Sequence, residues 1–255
     1  MHLFFYCVWI PGVLLQLLLL IRGWRSANLR HFPFFYAYIL AGTVTGLAAF
    51  AILKTDVQLY TRFYWLSQFF TLIVGCGLVL EIFEHVLSSY AGPRKFARSV
   101  CLATFGAILF FGLLYARVIR SEAVSTSEIQ IERDIRAAQI LLFMAILAVI
   151  AYYQISLNKN MHGMIQGYGL YLGGSLASLA LRAYMGPDFN SVWNAVQPIL
   201  FDISLVIWLF AFWAYVPDAS AASSANLEVD YEALVATTKQ AVNSMRTYVA
   251  RAIRS

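Results

Sequence analysis

Seven stretches of about twenty or more mostly apolar residues run through this chain, and no other feature restricts its fold as strongly. They extend roughly from His2 to Ile21, Phe32 to Leu53, Tyr60 to Val86, Ser99 to Val118, Ala137 to Ser156, Met164 to Tyr184 and Val192 to Val216. Wound as α-helix at ~1.5 Å per residue, such a stretch matches the ~30 Å hydrocarbon core of a bilayer. The runs are too long for the strands of a membrane β-barrel, and they do not alternate as those strands do. The expected fold is an all-α integral membrane protein, a seven-transmembrane helix bundle. Charged residues make up only 12% of the 255 residues. That is about half the ~25% of a soluble domain, too little to coat a globule in water. The 16% aromatic content suits two bilayer interfaces, where Trp and Tyr collect.

The net charge of +5 belongs to topology and not to nucleic acid, because Lys and Arg flank the apolar runs instead of forming a stripe. With the amino terminus outside, the cytoplasmic segments hold Arg22, Arg25, Arg30, Arg94, Lys95, Arg98, Lys159, Lys239, Arg246, Arg251 and Arg254. The outer segments hold Lys54, Arg62, Arg117, Arg120, Arg133, Arg136 and Arg182, offset by Asp56, Glu122, Glu128, Glu132, Asp134 and Asp188. The bias favours an N-out, C-in arrangement. Without the C-terminal segment the two sides hold seven each, so the loops alone do not decide it, and the first loop, RGWRSANLRH, is the strongest single pointer. No basic region precedes the first apolar run, so that run is expected to stay as a helix and not to be cleaved.

Three regions follow from this reading. Residues 1–216 form the seven-helix transmembrane domain, 217–226 (PDASAASSAN) a linker, and 227–255 a cytoplasmic amphipathic helix. In the last region Leu234, Val235, Val242, Met245, Val249 and Ile253 share a face, acidic residues come first and arginines last, as the helix dipole favours. Its apolar face calls for a cover, either the inner membrane surface or a protein. A second copy or another membrane protein subunit is the favoured one.

Small residues mark close helix approach. Gly42 and Gly46 form a GxxxG, and the sixth run collects Gly163, Gly167, Gly169, Gly173, Gly174, Ser175 and Ser178. The plain reading is tight packing within the chain; others are a sliding helix, an oligomer contact, or a ligand lying on bare backbone. Pro11 and Pro198 are expected to kink the first and seventh helices.

Polar groups inside apolar runs are costly and therefore informative. Asp202 lies about ten positions into the seventh run, with Asn194, Gln197 and Ser204 on the same helix, and Arg182 as a candidate partner. These residues, with Tyr171, are the candidate ligand-binding set. The competing reading makes Asp202 a structural carboxylate bonded to a neighbouring helix. Glu81, Glu84 and His85 end the third run on nearly one face. With His31 and His162 they could bind a metal, but pairing with nearby basic residues explains them better, and no metal or other cofactor is assigned. Cys7, Cys76 and Cys101 read as packing residues. No P-loop, GxSxG or CxxC occurs, no lysine lies between Lys159 and Lys239 to carry a retinal Schiff base, and the histidines lack the spacing of a zinc hydrolase. No enzymatic activity is expected.

The stretch YWLSQFFTLIVGCGLVLEIFEHVL (64–87), with HFPFFYAYIL (31–40) before it, resembles uncharacterised bacterial seven-helix membrane proteins. More loosely, the chain to about Val216 looks like the seven-helix sensor regions fused to histidine kinases. The resemblance implies a multi-pass protein of the bacterial inner membrane and carries no site residues with it. The chain departs from the fused kinases after Val216, where the sequence is too short for a kinase domain. A sensor would then act through a partner chain. The functional expectation is a non-enzymatic sensor or receptor-like module that binds a small molecule or lipid between its helices. The alternatives are a structural subunit of a larger membrane assembly and a transporter or small-ion carrier using Asp202.

Overall fold

The structure, a computed structural model, describes residues 2–26, 28–53, 57–118, 124–185, 189–216 and 225–254. Among the described residues all regular structure is helical. The long helices are α1 (His2–Arg25), α3 (Pro33–Leu53), α4 (Val57–Val86), α5 (Ala91–Val118), α6 (Val124–Tyr153), α7 (Lys159–Met185), α8 (Phe189–Ala211) and α9 (Ala225–Arg254); α2 (Asn28–His31) is a single turn. Each apolar run falls within, or mostly within, a helix of its own. Among the described residues, three helices are long and apolar enough to cross a membrane: α1 over Val8–Arg25, α3 over Pro33–Ile52 and α6 over Arg136–Tyr153. The apolar part of α8, Val196–Ala211, is shorter.

The boundaries differ from the sequence reading for local reasons. α5 starts at Ala91, earlier than expected, with Pro93 in its first turn, where a missing N–H costs nothing. α6 starts at Val124, so the polar connection around Arg120 to Arg136, which by its sequence can carry a short helix, is helical from Val124 and runs on into the fifth apolar run. It stops at Tyr153 because Gln154 turns to φ 52° and the Ile155 N–H bonds back to the Ile150 carbonyl at 3.1 Å, closing the helix as a Schellman turn. Pro11 and Pro198 both lie inside helices, α1 and α8, which continue past them.

From α1 to α8, helices adjacent in sequence pack as neighbours, and α8 returns to α1, so the bundle closes on itself. α4 also reaches α6 and α7 across the interior. The α7–α8 pair is the most extensive, and its glycines explain why. A methyl on Gly163 would collide with Ala211, one on Gly167 with the Trp208 indole, and one on Gly174 would come 2.5 Å from Leu200. Steps along α7 thus meet reverse steps along α8, an antiparallel contact at backbone range. Gly169 faces Phe143 of α6 instead, and among the described residues Gly46 and Gly173 have no foreign atom within 4 Å. The sixth run's glycines are therefore used mainly against α8, and the second-run GxxxG is not a tight contact.

The exterior is apolar: Leu14, Leu66, Phe110, Leu141 and Phe210 are each at least 60% exposed. Inside, Phe35 of α3 stacks on Phe212 at 4.4 Å and meets Trp208 of α8 edge-on at 5.3 Å. Trp208 is fully buried, and its indole N–H donates to the Met164 carbonyl at 3.3 Å.

Candidate functional site

Two polar constellations stand out, one at an end of the bundle and one within it. At the end, Glu81 of α4 is buried and closes the N-terminus of α3. Its Oε1 accepts the Phe34 N–H at 3.0 Å and its Oε2 the Phe35 N–H at 2.7 Å. A helix N-terminus has orphan N–H donors and a partial positive charge, so a carboxylate there satisfies both. His85, one turn on, rests its Nδ1 3.0 Å from the Glu81 carbonyl and stacks on Phe32 at 4.7 Å. Glu84 turns the other way, to Arg94 at 3.7 Å and Arg98 at 3.6 Å. Glu81, Glu84 and His85 thus share a helix but serve three separate partners. His31 stacks on Tyr215 at 4.2 Å. Among the described residues no three His, Cys, Asp or Glu side chains converge.

The same end holds the C-terminus of α8, where side chains of α1, α2, α7 and the residue before α7 take up the carbonyls of Ala211 and of the segment that follows it. Arg22 donates to Trp213 at 2.7 Å and lies over its ring, and Asn28 donates to Phe212 at 3.0 Å. Asn160 donates to Ala211 at 2.9 Å and Ala214 at 3.0 Å, and accepts the Val216 N–H at 2.8 Å. Asn158 donates to Val216 at 2.9 Å while its Oδ1 caps α7 by accepting the Met161 N–H at 2.7 Å. The expected seventh helix to Val216 therefore ends at Ala211, because asparagines compete for its carbonyls. Sequence reasoning did not single out Asn28, Asn158 and Asn160; the visible signal was Asn158 immediately ahead of a helical run.

Within the bundle, Arg136 is buried, and its guanidinium donates to Ser175 Oγ at 3.4 Å. The sequence reading placed Arg136 among outer-loop charges; the early start of α6 puts it inside. Nearby, the Tyr38 ring meets those of Tyr168 and Tyr171, with centroids 6.2 Å and 6.5 Å away. Tyr168 donates to the Gly75 carbonyl at 3.4 Å, and Gln139 donates to the Leu72 carbonyl at 3.2 Å and lies 3.5 Å from Cys76 Sγ. The period was legible: Arg136, Gln139, Phe143 and Ile146 recur at helical steps and all are buried. Such a guanidinium among phenols and amides offers donors to an anionic or carbonyl-bearing group.

Of the candidate ligand-binding set, Tyr171 belongs to this cluster and meets Phe201 of α8 at 5.6 Å. Asp202 lies against α1, its Oδ1 only 2.5 Å from where a methyl on Gly12 would sit. One turn along α1, Gln16 Oε1 accepts the Thr43 hydroxyl at 2.7 Å. Gln197 is half-buried on α8. The side chains of Arg182 and Asn194 lie outside the described residues.

α9 meets the bundle through α5 and α6. Leu227 is buried, the Tyr153 hydroxyl donates to Asp230 at 3.1 Å, and the Tyr231 ring covers Gly92, where a methyl would come within 2.5 Å. Beyond this foothold a cleft of about 800 Å³ separates α9 from the two helices. Phe96, Val100, Ile146 and Val149 form one wall and Leu234, Val235 and Val242 the other. Comparison of the chain with family models, with curated proteins and with solved structures finds no match.

Proposed function

We propose that this chain is a seven-span membrane sensor, with its amino terminus outside and α9 in the cytoplasm, in the manner of the bacterial seven-helix proteins it resembles. In this reading α4, α5, α7 and α8 join α1, α3 and α6 in crossing the bilayer. Support comes from their lengths of 23 to 30 residues, from the apolar exterior, and from the closed ring of neighbours. Buried polar groups such as Arg136 and Gln139 then face protein, as the low dielectric of lipid requires.

The observation that carries the sensor reading is the attachment of α9. This helix is fastened at its first turns to the ends of α5 and α6 and stands off from them along the rest. A shift between α5 and α6 would swing it. The interior Tyr38, Tyr171 and Arg136 cluster bridges α3, α6 and α7, and Asp202 joins α1 to α8, so a ligand at either place would act on the ring of helices. α9 would pass that change to a partner protein.

The test uses spin labels at Ser99 on α5 and Ser244 on α9, in bilayer discs and without the native cysteines. The expected result is that Tyr171→Phe or Asp202→Asn changes the distance distribution between the labels. An identical distribution in both variants, with the chain still folded, would refute a reporting role for α9.

A further inference from the structure

We propose that Asp202 is a proton-binding site at the seam between α1 and α8: its carboxyl is neutral while the two helices pack, and loss of the proton is an input that moves them apart. This rests on the sensor reading above and names the ligand of one of its two places.

The carboxyl is half-buried, and its Oδ1 lies against bare backbone, 2.5 Å from where a methyl on Gly12 would sit. Among the described residues it takes part in no hydrogen bond and no ion pair. Polar groups on the two helices are turned elsewhere. The Ser204 hydroxyl donates to the Leu200 carbonyl at 2.9 Å, and Gln16, one turn from Gly12, holds the Thr43 hydroxyl at 2.7 Å.

The elements packed on α8 bring no described charge to this place. They are α7 and α1. On α1 the described side chains include no titratable group before Arg22, which donates to the Trp213 carbonyl at the far end of the contact. On α7, Tyr171 meets Phe201, the chain neighbour of Asp202, at 5.6 Å. Tyr168 turns to the Gly75 carbonyl of α4, and Lys159 and His162 lie in the first turn of α7.

The margin of the seam is apolar. Ile199, Ile203 and Val206 of α8 are exposed there, as are Leu14 and Leu18 along α1. An ionised carboxylate with neither cation nor donor is costly in such surroundings, and in a bilayer more so; a neutral acid is not. The neutral form also has an O–H to donate. α1 offers an acceptor on this stretch, because Pro11 has no N–H and leaves the Cys7 carbonyl without its helical donor. Packing and proton therefore favour each other. The sign follows: the contact is fully held in acid and is lost as rising pH removes the proton.

The experiment uses the full chain in bilayer discs. Infrared difference spectra between acid and alkaline buffer follow the stretch of a protonated carboxyl. Dicyclohexylcarbodiimide, which dissolves in hydrocarbon, then probes the same group. A neutral carboxyl gives its proton to a carbodiimide nitrogen and its oxygen to the central carbon, and an acyl shift leaves a stable N-acylurea. The expected results are a carboxyl band that vanishes in alkali and is missing from Asp202→Asn, and an adduct on Asp202 from the apolar reagent. A water-soluble carbodiimide should modify Glu228 and Glu232 of α9 several-fold more than Asp202. Spin labels at Leu18 and Val206, without the native cysteines, should report a longer and broader distance in alkali. Asp202→Asn should keep the acid distribution throughout. Titration and adduct are read on the unaltered Asp202, so they do not depend on the variant folding.

No titrating band and no adduct at Asp202 would overturn the proposal and leave the membrane reading standing. A titrating Asp202 with label distances indifferent to pH would overturn its role as an input. Modification of Asp202 by the water-soluble reagent as readily as Glu228 would place it in water, and would refute the spanning of α8 together with the proposal.

Discussion

Glu81 of α4 accepts the Phe35 N–H at 2.7 Å, so the carboxylate of one helix is the cap of another. The contact fixes the height of α3 against α4, and Phe34 reinforces it by lying on Gly77, where a methyl would come within 2.5 Å of its ring. Glu81→Ala leaves two N–H groups without their acceptor, at a cost of ~1.5–3 kcal/mol for a charged hydrogen bond. Glu81→Gln keeps one acceptor and should cost less. Thermal unfolding in detergent should rank the wild type first, Gln second and Ala last. Equal losses for Gln and Ala would show that the capping geometry does not matter.

The α7–α8 contact gives a paired prediction. Gly167→Ala pushes on the Trp208 indole and its bond to Met164, an overpacking change of ~1–3 kcal/mol. Gly173→Ala meets no foreign atom within 4 Å, and should be neutral or stabilise by ~0.4–1 kcal/mol through the unfolded chain. The melting temperatures of the two variants should therefore move apart. Similar losses at both glycines would contradict the antiparallel contact described.

At the end of α8, Asn160 serves two carbonyls and one N–H. Asn160→Ala should cost ~1–3 kcal/mol for each group left buried and unsatisfied. Hydrogen exchange should accelerate at Val216, whose N–H loses its acceptor, while Leu205 inside α8 keeps its protection. Unchanged exchange at Val216 would mean that the asparagine does not hold the segment.

Asp202 tests the view that its carboxylate faces protein. Asp202→Asn should preserve folding better than Asp202→Leu, by ~1–3 kcal/mol if a buried partner loses its bond. Gly12→Ala should also destabilise, since its methyl would crowd Asp202 Oδ1. If Leu proves as stable as Asn and Gly12→Ala is silent, Asp202 does not pack against α1.

Much of the fold was legible because apolar runs are a strong and local signal. The amphipathic tail was equally clear, and α9 is a helix over the stretch its periodicity marked. What sequence could not supply was which helix each polar group would meet. Glu81 looked like an interface charge; its partners are backbone groups 46 and 47 residues away. Arg136 looked like a loop charge because an apolar window begins just after it, whereas helical periodicity carries it inward with Gln139. Asn158 and Asn160 act on carbonyls more than 50 residues distant, and no local pattern announces such a contact. Asp202 and Tyr171, grouped by residue type, lie on different contacts, one toward α1 and the other toward α3 and the interior.

The proposed seven-span topology would put α9 in the cytoplasm, and side-specific cysteine labelling tests it most directly. In a background without native cysteines, single cysteines replace Ser127, between the fourth and fifth apolar runs, and Ser244 on α9. A membrane-impermeant maleimide added to intact cells should label Ser127→Cys, and should reach Ser244→Cys only after the membrane is opened. Labelling of both from the same side would contradict the seven-span count, and with it the cytoplasmic place of α9.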